Sequence, residues 1–332
     1  MINLSKNFIG NNKLIENLLH CHQNKTLSNS LIFSGQKGIG KTTIAFYLIK
    51  EIYNNLSSQR LNNTNLIYNN THPNIRFLIN KYDEKNNKLS KNISINQIRD
   101  LENFLNQSTF DNLSKFVIID SADDLNKSSA NALLKSLEEP KNNTFFILIA
   151  HQISNLLPTI ISRCHNYVID KPTYENYLQI LQNNNSAIDL SDANFLYSVS
   201  NGSPGLAIEI YTENILELFD NIIQILQDKK GISSNIFNLA NDISKYTNEE
   251  FKNFLIILKF IILSLIKINL GYVYADSSTS KSFKSLNNIS HLIPNSISLE
   301  ILEFLNDNEK DLFIYNLDKK IFCFNIFSSL SK

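Results

Sequence analysis

An eight-residue segment near the N-terminus has the residue types that bind phosphate. It reads Gly-Gln-Lys-Gly-Ile-Gly-Lys-Thr from Gly35 to Thr42 and fits the pattern G-x-x-x-x-G-K-[ST] at each fixed position. The glycines would let the backbone turn sharply toward an anion, and the following helix adds the positive end of its dipole. Lys41 would contact the outer phosphates of a nucleotide, and the Thr42 hydroxyl would reach its magnesium ion. The predicted nucleotide-binding residues of this segment are Gly35, Gly38, Gly40, Lys41, Thr42 and Thr43.

The residues on either side of this segment fit the same interpretation. An apolar run at 31–33 precedes it and predicts a buried strand, and the apolar spacing at 43–49 predicts a helix that the loop opens. A strand before the loop and a helix after it are the context that this motif needs. The alternative is a glycine-rich turn between a strand and a helix that binds no ligand.

A second candidate group is the carboxylate of Asp120, which follows the apolar run 117–119. A carboxylate at the end of a buried strand beside a glycine loop can hold the magnesium ion of a nucleotide through water. The expected magnesium ligands are therefore Thr42 and Asp120. The next residue is Ser121, where an active hydrolase of this type has a glutamate that orients the attacking water. A serine hydroxyl cannot act as that base.

Two further carboxylates, those of Asp123 and Asp124, follow shortly. They lie beyond the end of the predicted strand, so we expect them to open a turn toward Asn126, a residue type that caps helix N-termini well. The alternative is that one of them takes the place of the missing glutamate.

These candidate residues need a sheet to bring them together. The first half of the chain alternates strand-like and helix-like segments, an order typical of a parallel sheet covered by helices. Two all-apolar runs, 116–119 and 145–149, are typical of strands that are buried on both faces. The other predicted strands are 31–33, 75–79 and 167–169, and the predicted helices are 43–49, 95–105 and 128–138.

The second half has a different pattern. After Pro172, apolar residues recur at helical spacing in nearly every segment, so this half is predicted to be helical. The Asn-rich residues 54–71 and the Ser- and Lys-rich residues 274–288 are expected to be exposed loops. The predicted domains are a sheet domain at 1–171, a small helical unit at 172–212 and a larger helical bundle at 213–332.

One apolar stretch, 251–270, resembles a membrane-spanning helix in its length and hydrophobicity. Three charges interrupt it, on Lys252, Lys259 and Lys267. These lysines are seven and eight residues apart, so they line one side of a helix whose other faces are apolar. The stretch therefore predicts a buried core helix of a bundle, and not a span.

Composition excludes several classes of protein. The 332 residues are 43% hydrophobic, which is ample for globular cores, and 31 basic residues balance 31 acidic ones. With a net charge of zero, any DNA contact should be local or shared. Cys21, Cys164 and Cys323 are too widely spaced for a disulfide scaffold and favour a reducing cytoplasm. The first residues lack the basic flank and apolar core of a signal peptide, so export is not expected.

Three longer motifs carry a resemblance to a known family. They are I-I-D-S-A-D-D-L-N at 118–126, A-N-A-L-L-K-S-L-E-E-P at 130–140 and L-L-P-T-I-I-S-R-C at 156–164. In this order after a glycine loop, they resemble the clamp-loader branch of the AAA+ ATPases, most closely the delta-prime subunits of bacterial DNA polymerase III. His72-Pro73 and I-N-Q-I-R at 95–99 extend the resemblance, which covers most of the chain and is weak at the C-terminal end.

The resemblance implies an α/β AAA+ domain with a P-loop and a parallel sheet, followed by a small helical lid and an all-α collar. In this family the arginine of the Ser-Arg-Cys motif reaches across a subunit boundary to the phosphates of a neighbour's ATP, which implies that role for Arg163. A guanidinium suits it, since it is always charged and can bond to two phosphate oxygens at once. The alternative for Arg163 is an ordinary surface salt bridge. Cys164 is expected to pack and not to react.

The same resemblance indicates what this chain lacks. Active ATPases of the family place an arginine near the turn at Gly202-Ser203, whereas no basic residue occurs from 172 to 228 here. The family's polar sensor after the second buried strand would fall at His151 or Gln152, and whether either serves is open. The alternative for His151 is a hydrogen-bonded structural residue.

The resemblance thus implies a delta-prime-like clamp-loader subunit that donates an arginine finger and hydrolyses little ATP itself. The intact glycine loop favours binding of ATP with Mg²⁺, and no zinc is expected because residues 22–163 contain no cysteine. The implied partners are the delta and gamma/tau subunits, and through their complex the sliding clamp and primed DNA, with no membrane. The first alternative is an autonomous motor ATPase, such as a gamma/tau-like subunit or a junction helicase, against which Ser121 argues. The second is a P-loop phosphotransferase, for which a chain without arginine after Arg163 is poorly suited.

Overall fold

The structure is a computed structural model that describes residues 8–56, 60–80, 82–83, 88–89, 92–141, 143–184, 188–212, 215–227, 234–273 and 281–330. The chain divides into two compact units, Met1–Ile180 and Leu181–Lys332. The finer three-way division at 171/172 and 212/213 stays a prediction.

The first unit is built on a five-stranded parallel sheet. Its strands are β1 Ser30–Ser34, β2 Ile75–Leu78, β5 Lys115–Asp120, β6 Thr144–Ala150 and β7 His165–Val168, and a separate antiparallel pair consists of β3 Tyr82–Asp83 and β4 Lys88–Leu89. The sheet order is β2-β5-β6-β1-β7. All five predicted strands are confirmed, and with them the α/β AAA+ fold class.

Helices cover this sheet and make up the second unit. In the first unit they are α1 Asn12–Gln23, α2 Lys41–Leu56, α3 Arg60–Tyr68, α4 Ile95–Asn106, α5 Lys127–Glu138 and α6 Pro158–Ile161, and α7 Tyr174–Asn184 runs into the second unit. The second unit then has α8 Leu190–Val199, α9 Pro204–Thr212, α10 Ile215–Gln227, α11 Ser234–Ser244, α12 Asn248–Asn269, α13 Lys281–Ser290, α14 Asn295–Ile314 and α15 Lys319–Leu330. The predicted helices of the first half are confirmed in α2, α4 and α5.

Alternate residues of the central strands face two separate cores. Phe33 of β1 and Ile118 of β5 pack in the core that includes α2, whereas their neighbours Ile32 and Val117 pack in the core that includes α4 and α5. Side chains of a strand alternate between its two faces, so a strand covered on both sides needs an unbroken apolar run. A shift of one residue would exchange the two sets, which fixes the register of these strands.

A buried lysine joins one end of the sheet to a helix. Lys115, at the start of β5, is 1% exposed, and its ammonium donates hydrogen bonds to the carbonyls of Phe104 at 2.7 Å and Gln107 at 2.5 Å. These carbonyls belong to the last turn of α4 and the residue after it, where the negative end of the helix dipole favours a cation. Burial lowers the pKa of Lys115 from its ordinary value.

In the second unit, the described residues are helical, without a strand. The predicted core helix at 251–270 is confirmed as α12, whose buried residues include Phe254, Leu258 and Ile262. Its Lys259 forms an ion pair with Glu309 of α14, with 2.5 Å between Nζ and Oε2. Among the described helices, none is long and apolar enough to cross a bilayer.

Two loop predictions were wrong. Within 54–71, α2 continues to Leu56, residues 57–59 lie outside the described residues, and α3 spans Arg60–Tyr68. Helix α3 forms because the burial of Ile67 outweighs the modest helix propensity of asparagine. Of 274–288, residues 274–280 lie outside the described residues, and the rest belongs to α13. There, Phe283 and Leu286 are buried at a spacing of three residues, a helical pattern that the surrounding Ser and Lys concealed.

We expect Lys115→Met to lower the free energy of unfolding by about 1–3 kcal/mol, because it leaves buried carbonyls at the end of α4 without their donor. Urea denaturation followed by circular dichroism measures this change. The matched control is Lys141→Met, which removes an exposed ammonium whose hydrogen-bond partner among the described residues is the Asn106 side chain, at 3.1 Å, and should cost less than about 0.5 kcal/mol. Equal stability of the two variants would contradict the capping role of Lys115.

Candidate functional site

The glycine loop lies between the end of β1 and the start of α2. Gly35, Gly38 and Gly40 all have positive φ angles, of 146°, 80° and 93°. At Gly35 a side chain is also excluded sterically, since a Cβ there would lie 2.5 Å from the carbonyl oxygen of Ile169. At Gly40 a Cβ would meet no atom within 4 Å, so the backbone angle alone favours glycine. The loop conformation therefore depends on the glycines at both ends of the motif.

Lys41 lies at the first position of α2 and turns its side chain back over the loop. It is 3% exposed, and its ammonium donates hydrogen bonds to the carbonyls of Gly35 at 2.6 Å and Gln36 at 2.7 Å. Burial lowers the pKa of Lys41 to about 8, against the opposing charges of Asp120 and Asp123. A buried cation beside a helix N-terminus is the arrangement that receives phosphate oxygens.

The two predicted magnesium ligands are in direct contact. The Thr42 hydroxyl donates a hydrogen bond to Oδ2 of Asp120 at 2.5 Å. Asp120 ends β5, which is separated from β1 by β6, and the parallel register brings both strand ends to the same edge of the sheet. A hydroxyl and a carboxylate are hard oxygen donors of the type that Mg²⁺ takes, so these residues fit a magnesium ion that is held through a nucleotide.

The acidic residues after Asp120 have structural partners. The Asp123 carboxylate accepts hydrogen bonds from the backbone N–H groups of His151 and Gln152, each at 3.1 Å. The Asp124 carboxylate accepts from the Ser121 hydroxyl at 3.1 Å and from the Asn80 amide at 2.8 Å. Both carboxylates therefore hold the loops around β5 in place, as expected for residues of a turn.

The predicted helix cap that follows this turn is confirmed. Asn126 precedes α5, and its side chain accepts a hydrogen bond from the backbone N–H of Ser129 at 2.8 Å. The cap fixes the start of α5, whose far end carries Glu138.

Of the two candidate sensors, His151 is the one whose side chain is affected by the charge of Lys41 in the loop. Burial lowers the pKa of His151, and the charge of Lys41 lowers it further, against opposing effects of Asp123 and Asp120. Among the described residues its Nδ1 is buried without a hydrogen-bond partner. The exposed Gln152 instead accepts a hydrogen bond from Asn155 in its own turn at 3.1 Å. The neutral imidazole of His151 is thus electrostatically coupled to the loop residues.

Arg163 lies apart from this cluster, after α6. Its Nε forms an ion pair with Oε1 of Glu138, and its Nη1 donates to the Thr159 carbonyl at 2.9 Å and the Ser162 hydroxyl at 3.3 Å. The side chain is 35% exposed, and within the described part of the chain it makes no hydrogen bond to the glycine loop. The surface salt bridge considered as an alternative is therefore present.

Sequence reasoning missed Glu138 as the partner of Arg163. The residue lies in the quoted motif at 130–140, beside a second glutamate, Glu139. Nothing in the sequence distinguishes these two exposed carboxylates. The fold distinguishes them, because the end of α5 lies next to α6. Cys164 packs beside the core of α4 and α5, where burial raises its pKa to about 11, as expected for a packing residue.

A known protein family matches the part of the chain that contains these residues. Residues 10–173 match a family model described as DNA polymerase III, delta subunit. A DNA polymerase III subunit delta' from Haemophilus influenzae is 34% identical over 134 residues, which are 40% of this chain and 41% of that protein. A subunit delta' from Buchnera aphidicola is 28% identical over 233 residues, 64% of this chain and 66% of that protein. The matches therefore span from about two fifths to just under two thirds of these relatives.

A gamma/tau relative is also similar to the chain. DNA polymerase III subunit gamma/tau from Mycoplasma genitalium is 32% identical over 179 residues, 53% of this chain and 29% of that protein. The chain is thus similar to two kinds of DNA polymerase III subunit.

We expect the Lys41 ammonium to titrate near pH 8, and Asp120→Asn to lower this pKa further because the variant removes a charge that raises it. Lysine side-chain NMR across pH 6–11 measures both values. The pKa of Lys41 in the folded protein lies below the ordinary value of 10.5. Its contribution to the free energy of unfolding is therefore full above about pH 10.5 and is lost as the pH falls through about 8. An unshifted titration near 10.5 in the wild type would contradict the buried position of the ammonium.

Proposed function

We propose a role for this chain from one premise: over residues 10–173 it belongs to the DNA polymerase III delta-subunit family, within which its relatives bear the name delta'. It acts in the cytoplasm as a delta-prime-like subunit of the clamp loader, with delta and gamma/tau subunits as neighbours. The assembled complex loads the sliding clamp onto primed DNA at the expense of ATP. Within it, this subunit contributes Arg163 to the ATP of the adjacent subunit.

The observation that carries this proposal is the position of Arg163. The guanidinium is exposed and is anchored on residues away from its own glycine loop. An arginine with those properties is suited to the phosphates of a second subunit, where it would stabilise the charge that develops during phosphoryl transfer.

Weak hydrolysis by this subunit itself is the second part of the proposal. Ser121 stands where the water-orienting glutamate would be, and its hydroxyl is bonded to Asp124. The nearby Asp123 is occupied by two backbone N–H groups, so it is poorly placed to act as a substitute base. The lack of a basic residue from 172 to 228 removes the lid arginine as well.

The proposal includes binding of ATP with Mg²⁺ at the glycine loop. Supporting it are the positive φ angles of the glycines, the buried ammonium of Lys41, and the contact between Thr42 and Asp120. Lys41 would exchange its two carbonyl partners for charged phosphate oxygens, which form stronger hydrogen bonds. Thr43 follows in the first turn of α2, where its backbone N–H adds to the positive end of the helix.

A second candidate function is that of a gamma/tau-like motor ATPase. The gamma/tau relative and the complete glycine loop favour it. It differs from the first proposal in one measurable respect, since a motor subunit hydrolyses ATP at the rates of typical enzymes when purified alone.

We expect Arg163→Ala to slow ATP hydrolysis at the site that this arginine completes by about 10³- to 10⁵-fold. The measurement is pre-steady-state phosphate release by the complex reconstituted with delta, gamma/tau, clamp and primed DNA. The burst should lose the phosphate that is released at this site. The melting temperature of the isolated variant should stay close to that of the wild type, because an exposed ion pair contributes about 0–1 kcal/mol.

Two further variants control this measurement. Arg163→Lys keeps the positive charge and should not restore the rate, since an ammonium lacks the planar arrangement of donors. Arg76→Ala removes an exposed arginine elsewhere on the unit and should leave the burst intact. An unchanged burst with Arg163→Ala would refute the role in trans.

For the isolated chain, we expect isothermal titration with ATP and Mg²⁺ to give heat for one site, and Lys41→Ala to abolish it. The same preparation should hydrolyse ATP far more slowly than the median enzyme rate of about 10 s⁻¹. Absence of heat at high protein concentration would make the loop a purely structural turn, and brisk turnover would favour the motor ATPase.

A further inference from the structure

The guanidinium of Arg163 uses only part of its hydrogen-bonding capacity within this chain. It has five N–H groups, of which Nε bonds to Glu138 and the two on Nη1 bond to the Thr159 carbonyl and the Ser162 hydroxyl. The two N–H groups of Nη2 have no hydrogen-bond partner among the described residues. The bonds on Nε and Nη1 therefore anchor the guanidinium, and the N–H groups of Nη2 are left for another acceptor.

The anchors are themselves held by packed helices. Glu138 is the last residue of α5, next to Leu137, which is 4% exposed in the core. Thr159 lies in α6, next to Ile160, which is 1% exposed. An exposed arginine usually samples many rotamers, and contacts to two fixed helices restrict that sampling.

We infer that Glu138 is a positioning residue, which orients Arg163 so that Nη2 faces the neighbouring subunit's nucleotide. This inference rests on the proposed function of Arg163 and adds the residue that makes its side chain ready to act. The ion pair contributes little to stability because both partners are exposed. It instead orders the guanidinium before the phosphates arrive, which reduces the entropy lost when the transition state forms.

A competing role for Glu138 is that of a brake that withholds Arg163 from phosphate. The hydrogen bonds of Arg163 argue against this role, because Glu138 accepts from Nε whereas a phosphate oxygen would accept from Nη2. The negative charge of Glu138 would weaken the attraction of phosphate to the arginine, but the carboxylate is 46% exposed, so solvent and salt screen this effect. Orientation therefore outweighs repulsion.

The neighbouring Glu139 provides a matched control. It is also exposed, but it faces a surface cavity of about 120 Å³ that Lys135 and Lys141 also line. Its side chain makes no hydrogen bond or ion pair with any described residue, whereas Glu138 bonds to Arg163. Replacing either glutamate by alanine removes one charge from the same turn, and only one replacement releases the guanidinium.

The test compares Glu138→Ala, Glu138→Gln and Glu139→Ala in the reconstituted complex used for Arg163→Ala. We expect Glu138→Ala to lower kcat about three- to tenfold with little change in KM for ATP, because ordering one long side chain has an effect of that size. Glu138→Gln keeps an acceptor oxygen and should recover most of the rate. Glu139→Ala should match the wild type.

A double variant separates positioning from a general effect on the fold. In the Arg163→Ala background, Glu138→Ala should cause no further loss of turnover, since the residue acts only through the arginine. An equal loss in both backgrounds would overturn the inference, and so would an unchanged or increased rate with Glu138→Ala alone. If Arg163→Ala itself leaves turnover unchanged, the proposed function fails, an outcome distinct from failure of the positioning role.

Discussion

The hydrogen bond from the Thr42 hydroxyl to the Asp120 carboxylate ties together the parts of the molecule on which its chemistry depends. Thr42 belongs to the helix after the glycine loop, and Asp120 belongs to a strand that is two places away from β1 in the sheet. The contact forms only because β1, β6 and β5 run parallel and end at one edge, with Ser34 paired to Ala150 and Asp120 to Ile149. The registry of three buried strands therefore sets the distance between two polar groups.

Much of this arrangement could be predicted from the sequence. The unbroken apolar runs in β5 and β6 identify strands covered on both faces, and a glycine pattern between strand and helix permits one backbone conformation that suits an anion. Both signals are local, so each can be recognised in a few consecutive residues. The α/β class, the strands and the contact between the loop and Asp120 follow from them.

What could not be predicted depends on contacts between distant residues. Helix α3 forms from an Asn-rich segment because Ile67 is buried, which the composition of the segment does not reveal. Lys115 extends β5 by one residue beyond the apolar run, because its charge is satisfied by the end of α4. The choice of Glu138 over Glu139 as the partner of Arg163 is set by the position of α6 relative to α5. In each case the deciding contact lies outside the few consecutive residues in which a sequence pattern can be recognised.

Gly35 has a consequence beyond the loop that it begins. The carbonyl of Ile169 lies so close that any added Cβ would strike it, while the amide of the same residue donates to the Ser34 carbonyl at 2.7 Å. The first peptide of the loop and the peptide where the chain leaves the sheet thus have no clearance between them. A substitution at Gly35 would therefore displace the segment that leads from Ile169 toward α7. Its effect would extend beyond the phosphate-binding loop.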